Sequence, residues 1–391
     1  MKREIRQAFF IFCTVITLLT IYYYWMGGAI NVEEIKRETR VNAQEFHDFH
    51  ADRYPEWTLE TMDSNENVAI ALVYIVKDRK NEADYRIAIN SARCYAEVHQ
   101  YGFIYVDYSA NKTLQELCPQ SDFFFTRHCL MNEVLQTAPY EFFVFLDADI
   151  GVINPRRRVQ DFLPAESSVN VMFYNRFYND EIMAGSYIVR KSKQAENFLQ
   201  LWVDYYEKTK LFPFSGTDNG AIQSVVLEFF APELSPYREV CEKTWRTGRG
   251  FAELFRYEAC AQYLISLIPK KEFAQRGFVL YQKGEGWSRD GWVSGTWWCE
   301  RDLFFHGWKK AKLGGEWQLP FTSESLFDDK CSANEFDRWI YSTGFKVPCL
   351  QLDLRLHPYF LEKRSAYYKA LKELFDEKLF PVKAYEKYGM P

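Results

Sequence analysis

The sequence lacks the features of nucleic-acid-binding proteins and of zinc modules. Its 48 Lys and Arg are outnumbered by 53 Asp and Glu, giving a net charge of −5, whereas nucleic-acid-binding proteins concentrate basic residues against the phosphates. It has only six histidines, and neither a CxxC pair nor a Cys/His cluster of the kind that binds zinc. It also has no repeat with a period of about 20–50 residues and no low-complexity tract. These absences exclude three broad classes: nucleic-acid-binding proteins, zinc modules and repeat proteins.

Long uncharged runs are also missing, with one exception at the N-terminus. Residues 8–30, "AFFIFCTVITLLTIYYYWMGGAI", contain no charged residue and are long enough to span a bilayer as a helix. Lys2, Arg3 and Arg6 precede this run, and aromatic residues lie at its far end, as in a signal anchor. The sequence therefore predicts a cytoplasmic tail (residues 1–7), a transmembrane signal anchor (8–30) and a lumenal remainder: a single-pass type II protein of the Golgi or ER membrane. A cleaved signal peptide is the alternative, for which the run is long.

Nine cysteines fit an oxidising compartment. Cys13 falls in the uncharged run, and the other eight follow it. An even number permits disulfides, but spacing leaves the pairing open. A sequon at Asn111 would accept a glycan if it were exposed, although such triplets are also common by chance.

The remainder alternates between apolar runs and helical patterns. Residues 31–66 are polar and read as a stem, and 67–391 read as one catalytic domain with a C-terminal helical extension. The continuous apolar run "NVAIALVYIV" is typical of a strand buried on both faces. The strand–helix–strand alternation that follows predicts an α/β fold with a parallel sheet. Predicted strands are 67–76, 103–108, 142–146, 169–175, 185–190 and 277–282; predicted helices are 83–102 (stopped by Gly102), 127–138, 193–208, 217–230 and 363–380.

Two aspartates end the third predicted strand, in "EFFVFLDADIGVINP". Asp147 and Asp149 are two residues apart, so in an extended segment they share a face, at the sheet edge where α/β proteins bind ligands. Two carboxylates this close repel and need a positive partner. A Mg²⁺ or Mn²⁺ ion that also binds a diphosphate would supply it. The alternative is an Asp pair in a turn before Pro155.

Four segments carry a family resemblance: "FVFLDADIGVINP", "MAGSYIVRKS", "SGTDNGAIQSVV" and "DLFFHGWKKAK". In order and spacing they resemble GT-A glycosyltransferases, in particular glycosyltransferase family 34, the fungal α-galactosyl- and α-mannosyltransferases and plant xylosyltransferases. The Gly- and Trp-rich region from 286 to 308 resembles more closely an uncharacterised family expanded in nematodes. The resemblance implies a Rossmann-like nucleotide-diphospho-sugar transferase fold and a retaining transfer of a hexosyl or pentosyl unit.

The resemblance also implies roles for particular residues. Asp147 and Asp149 would bind the metal, Asp147 also contacting the donor, and His306 would complete the coordination. Lys309 would pair with the diphosphate, and Arg127, at a helix N-terminus, would lie near the nucleotide. The structural alternatives are a buried, hydrogen-bonded His306, a solvated lysine pair at Lys309 and a surface cap at Arg127.

Two further carboxylates are catalytic candidates. Asp218, in "DNGA", matches a family residue near the anomeric carbon or the acceptor; it also suits a helix N-cap. Asp290, in "SRDGW", would contact an acceptor hydroxyl, with a salt bridge or a turn as the alternative. Either would be the base if the enzyme inverts configuration. Met183 stands where the family commonly has Asn, a departure that removes one hydrogen bond to the donor sugar.

Five tryptophans cluster near these motifs. Sugars stack on aromatic faces, so the cluster suits an acceptor platform, although core packing is the expected role for most of its members. The tryptophans are Trp287, Trp292, Trp297, Trp298 and Trp308.

The sequence thus predicts a Mn²⁺- or Mg²⁺-dependent glycosyltransferase that moves a sugar from a UDP- or GDP-sugar to a hydroxyl of a glycan, glycoprotein or glycolipid. One alternative is an inactive lectin-like or scaffold descendant. Another is a phosphatase of the haloacid dehalogenase kind, whose DxD motif carries Thr or Val where this chain has Gly151. The donor sugar, the acceptor, the linkage, the stereochemistry and the oligomeric state stay open.

Overall fold

A computed structural model describes residues 69–329, 331–332 and 335–376. The predicted tail, anchor and stem lie outside the described residues. Within them, no helix is both long and apolar enough to cross a membrane. The strands are β1 (Ile70–Val76), β2 (Gly102–Asp107), β3 (Phe142–Leu146), β4 (Ile150–Val152), β5 (Val171–Tyr174), β6 (Ser186–Arg190), β7 (Phe278–Tyr281), β8 (Ser288–Asp290) and β9 (Phe304–His306).

The larger sheet has the order β2-β1-β3-β6-β5-β7. Strands β2, β1 and β3 pair in parallel, and so do β5 and β7. Only β6 runs the other way, antiparallel to both β3 and β5. The fold is therefore mixed α/β with a parallel-rich sheet: the parallel pairing predicted from the first three strands is confirmed, and the antiparallel direction of β6 was not predicted. Only residues 175–185 join β5 to β6, too few for the usual crossover helix, so the two strands pair antiparallel.

Helices cover both faces of this sheet. They are α1 (Glu82–His99), α2 (Lys112–Leu117), α3 (Phe123–Thr137), α4 (Lys193–Thr209), α5 (Thr217–Phe230), α6 (Ser235–Thr247), α7 (Phe251–Ser266), α8 (Lys270–Gln275) and α9 (Cys349–Asp376). In β1, Val73 belongs to the apolar cluster that includes residues of α3, α4, α5 and α7, whereas Leu72 belongs to the one beneath α1. The alternation of side chains along a strand thus produces two cores, one on each face.

Several boundaries differ from the sequence prediction. Helix α1 ends at His99, where Gln100 takes a φ of 59°, so Gly102 opens β2 and does not stop the helix. Four helices (α2, α6, α7 and α8) and three short strands (β4, β8 and β9) were not predicted. Helix α9 begins at Cys349 and continues through Pro358, well before the predicted start at 363.

A second, three-stranded sheet has the order β4-β9-β8. Strand β9 pairs antiparallel with β4, so that Ile150 faces His306, and in parallel with β8, so that Asp290 faces His306. This small sheet brings the end of the chain's Trp-rich region back to the segment that follows β3.

All eight cysteines in the described part of the chain form disulfides. The pairs are Cys94–Cys331, Cys118–Cys129, Cys241–Cys260 and Cys299–Cys349. Spacing alone had left this pairing open.

Candidate metal centre

Strand β3 ends in a tight turn that carries both aspartates. The backbone N–H of Asp147 donates to the carbonyl of Gly185 (2.8 Å), and the N–H of Ile150 donates to the carbonyl of Asp147 (2.9 Å). These bonds fix the chain between β3 and β4. Both carboxylates therefore lie at the carboxyl edge of the parallel strands, as predicted from their place after a buried strand.

His306 reaches the same place through the small sheet. It is the last residue of β9, opposite Ile150, and the next two N–H groups, of Gly307 and Trp308, both donate to the carbonyl of Asp149 at 3.0 and 2.9 Å. The Nε2 atom of His306 lies 3.3 Å from Oδ1 of Asp149. Backbone hydrogen bonds between the β9 and β4 segments, and not side-chain packing alone, bring His306 and Asp149 together.

Asp147, Asp149 and His306 form a group that suits a metal ion. One ligand atom from each lies within 4.8 Å of the others, and all three side chains are partly exposed. Two carboxylates and one imidazole are donors that Mn²⁺ accepts readily. The three predicted metal ligands are thus brought together, and their chemistry fits a divalent cation.

The second ring nitrogen of His306, Nδ1, contacts a buried carboxylate. Its Nδ1 lies 2.9 Å from Oδ1 of Asp290, and that oxygen also accepts hydrogen bonds from Nε and Nη2 of Arg176 at 3.1 and 3.0 Å. A carboxylate on one imidazole nitrogen orients the ring and leaves the other nitrogen for a metal. Asp290 is only 1% exposed, so the structure places it behind His306 and not in the open part of the site.

Arg127 connects the site to the interior. It is the fifth residue of α3, not the first, and it is buried. Its Nη1 bonds to Oδ1 of Asp147, and its Nη2 donates to Oδ2 of Asp218 at 2.6 Å. Asp218, which is fully buried, also lies 2.8 Å from Nε2 of His128. It occupies the second position of α5, whose N-cap is Gly216.

Charge and burial shift the pKa values of the cluster. Burial raises the pKa of Asp147 to about 6, with Arg127 opposing the rise and Asp149 adding to it. Burial acts in the same direction on Asp149, but the adjacent His306 brings its pKa below the usual value. Burial disfavours the charged form of His306, yet the carboxylates of Asp149 and Asp290 raise its pKa to about 9. In the metal-free protein at neutral pH, the imidazolium is thus a positive partner for the aspartates.

Two residues singled out from the sequence are not part of this group of three candidate ligands. The Lys309 ammonium lies 5.4 Å from the ring centroid of Tyr85 on α1, and contact with that tyrosine raises the pKa of Lys309. Met183 is buried. Unlike the Asn that glycosyltransferase family 34 commonly has at this position, it offers no polar side-chain group.

Of the five tryptophans, three are core residues. Trp287, Trp298 and Trp308 are buried, whereas Trp292 and Trp297 are half-buried. Trp298 also lines a cavity of about 390 Å³ together with Asn154 and Lys346, at the end of β4 that points away from the aspartates. The ring of Trp292 lies beside the cluster: its centroid is 5.3 Å from that of His306.

Sequence reasoning missed three functional neighbours of the site. Arg176 and His128 carry no local motif, because each acts through a partner far away in the chain, Asp290 and Asp218. Gly185 was quoted within a motif but given no role. A Cβ there would come within 2.1 Å of Oδ2 of Asp147, so the glycine provides room for that carboxylate.

The model of a family described as "Protein of unknown function, DUF273" matches residues 92–319. No curated protein matches the chain. One similar solved structure is titled "crystal structure of a glycosyltransferase involved in the glycosylation of the major capsid of PBCV-1", with 12% identity, a TM-score of 0.35, and coverage of 61% of this chain and 93% of that one. Another, titled "Crystal Structure of A197 from STIV", has 10% identity, a TM-score of 0.25, and coverage of 42% and 78%. Both scores are too low to support a functional comparison. The family model spans more than half of the sequence, and the chain therefore belongs to the DUF273 family.

Proposed function

We propose that this protein is a metal-dependent glycosyltransferase that transfers a sugar from a nucleotide-diphospho-sugar to a hydroxyl group of a glycan or glycoconjugate. One observation carries the proposal: Asp147, Asp149 and His306 offer three ligand atoms within 4.8 Å of one another. They do so at the carboxyl edge of a parallel-rich sheet, where α/β proteins bind nucleotides. We also propose that the protein is related to glycosyltransferase family 34.

The donor set favours Mn²⁺ over Mg²⁺. Mg²⁺ prefers an all-oxygen shell with several waters, whereas an imidazole ligand suits transition metals. When bound, the ion would neutralise the diphosphate leaving group as a Lewis acid. The protein's own contribution is to hold the ligands: Arg127 fixes Asp147, and Asp290 orients His306.

The buried state of the two catalytic candidates supports retention of configuration. An inverting enzyme needs a carboxylate base that reaches the acceptor hydroxyl. Asp218 is fully buried between Arg127 and His128, and Asp290 is nearly as buried behind His306. Neither offers a free carboxylate to a substrate. We therefore assign the acceptor proton to an oxygen of the leaving diphosphate and give Asp218 and Asp290 positioning roles.

The proposed location is the Golgi or ER membrane, with the catalytic domain lumenal and residues 8–30 as anchor. Four disulfides support an oxidising compartment.

The test uses the full-length chain purified in detergent. Mn²⁺ binding is measured by electron paramagnetic resonance, and nucleotide release is measured with a panel of UDP- and GDP-sugars. We expect Mn²⁺-dependent release with at least one donor, and we expect Asp149→Asn and His306→Gln each to weaken Mn²⁺ binding at least about tenfold.

Asp329→Asn is the matched control, because Asp329 is an exposed aspartate on another part of the surface. It should bind Mn²⁺ as the unsubstituted chain does. Equal Mn²⁺ binding by all four proteins, with no donor turned over, would refute the proposal.

Met183 favours a second candidate, a catalytically inactive lectin-like protein. A buried methionine in place of the family's Asn removes one polar contact to the donor sugar. Such a protein would bind a glycan without metal and would release no nucleotide, so the same two measurements separate the candidates.

A further inference from the structure

The loop that follows β5 emerges beside the candidate metal centre. Strands β3 and β5 are both antiparallel to β6, so they run in the same direction and end at the same edge of the sheet. Asp147 follows one of them, and the segment from Arg176 to Tyr178 follows the other. Strands β1 and β2 lie on the opposite side of β3 and form the βαβ half that typically holds a nucleotide. The β5 side is therefore where a second substrate would approach.

Two aromatic rings line this side, and we call Tyr178 and Trp292 the aromatic platform. The centroid of the Trp292 ring lies 5.3 Å from that of His306 and 6.1 Å from that of Tyr178. Trp292 is half-buried, and Tyr178 is 41% exposed. One ring thus lies beside a candidate metal ligand, and the other is partly exposed, with the Arg176 guanidinium 5.6 Å from its centroid.

Asp290 connects the aromatic platform to the candidate metal ligands, because it contacts both Tyr178 and His306. Its Oδ2 accepts a hydrogen bond from the backbone N–H of Tyr178 (3.1 Å), and its Oδ1 lies 2.9 Å from Nδ1 of His306. The hydroxyl of Tyr359 on α9 donates to the carbonyl of Tyr178 at 2.7 Å. Hydrogen bonds to both its backbone N–H and its carbonyl fix the position of Tyr178, although the side chain is partly exposed.

Charges around the platform are compensated. Arg176 lies between Asp290 and Glu181, at 3.0 and 2.8 Å. Lys363, whose ammonium is 5.7 Å from the Tyr178 ring centroid, pairs with Glu362 at 3.1 Å. Among the described residues, each cation at the platform has a carboxylate partner. Such a surface suits a ring with apolar C–H patches and no charge.

We propose that Tyr178 and Trp292 stack against a neutral pyranose ring of the acceptor glycan and so hold its reacting hydroxyl next to the metal centre. This inference rests on the proposed function and specifies its acceptor: an uncharged oligosaccharide, not a peptide, a lipid headgroup or an acidic glycan. The inference concerns binding of the acceptor and involves no covalent step.

The test measures binding of the full-length chain, loaded with Mn²⁺ and either UDP or GDP, to an array of neutral, sialylated and sulfated glycans. We expect binding to neutral glycans. We expect Tyr178→Ala to weaken it about tenfold, as for the loss of one aromatic stacking partner. Tyr178→Phe keeps the ring and should keep the binding. Tyr368→Ala removes another exposed tyrosine, on α9, and should have no effect.

The outcomes separate this inference from the proposed function. If Mn²⁺ and the nucleotide bind normally but Tyr178→Ala retains glycans like the unsubstituted chain, the platform is wrong and the proposed function stands. Binding only to charged glycans, or to none, also overturns the platform. If the unsubstituted chain binds neither Mn²⁺ nor nucleotide, the proposed function fails. Nucleotide titration of Tyr178→Ala by calorimetry shows that the variant is folded.

Discussion

His128 predicts how the stability of this protein depends on pH. Its ring is fully buried, stacks on Trp202 at a centroid distance of 3.6 Å, and lies with Nδ1 3.1 Å from the hydroxyl of Tyr187. Burial lowers its pKa from 6.5 to about 4, although Asp218 opposes the shift. The folded protein therefore keeps His128 neutral at a pH where the unfolded chain protonates it.

The sign and the magnitude follow from this difference. Below pH 6.5 the unfolded state takes up a proton that the folded state refuses, so stability falls as the pH falls, until the folded pKa near 4 is reached. One pKa unit corresponds to about 1.4 kcal/mol, and the interval from 6.5 down to pH 5 is about 1.5 units, so His128 alone should cost about 2 kcal/mol between pH 7 and pH 5.

The assay is urea unfolding of the full-length chain at pH 7 and pH 5, with disulfides intact, compared with His128→Gln. Glutamine can keep a hydrogen bond to Asp218 but does not titrate. The variant loses the stacking on Trp202 and should be less stable at pH 7, so the readout is the change between the two pH values. That change should be smaller in the variant by about 2 kcal/mol. An identical change in both proteins would refute the assignment of a neutral, buried His128.

Two further predictions concern the site and the covalent framework. Gly185→Ala should displace the carboxylate of Asp147 and weaken Mn²⁺ binding, measured by electron paramagnetic resonance, about tenfold or more. Gly314→Ala is the control and should leave Mn²⁺ binding unchanged, because nothing lies within 4 Å of the new Cβ. Equal Mn²⁺ binding by the two variants would contradict the role of Gly185. Replacing Cys94 and Cys331 by alanine opens a bridge of sequence separation 237 and should cost up to about 5 kcal/mol in urea unfolding, against about 3 kcal/mol for the bridge of separation 11. A smaller cost for the long bridge would contradict the loop-entropy argument.

The local patterns in the sequence predicted the elements around the aspartates well. The strand at β3 and the helix at α5 have the predicted bounds, because a continuous apolar run or a capped helical pattern is decided within a few residues. Helix α6 was missed although its apolar residues have helical spacing; its buried residues, Cys241 and Trp245, are four positions apart. The direction of β6 was not predictable from its own residues, because it depends on the short connection from β5.

The sequence predicted the three candidate ligands but not the residues that support them. The position of Asp147 and Asp149 after a buried strand is a local property, and the resemblance supplied His306. The pairing of Arg176 with Asp290 joins residues 114 positions apart, and no pattern near either residue indicates it. The same holds for the placement of Asp218, which has the sequence signature of a helix cap yet lies in a buried ion pair.

The small sheet has a consequence for how the ligands move. His306 and Asp149 come from distant parts of the chain, yet β9 and β4 are neighbouring strands, and the two N–H groups after His306 bond to the carbonyl of Asp149. A displacement of one ligand therefore carries the other with it. Asp147 is held by Arg127 and by the carbonyl of Gly185, and its own carbonyl accepts a hydrogen bond from the N–H of Ile150 in β4. All three candidate ligands are therefore tied to one hydrogen-bonded backbone framework.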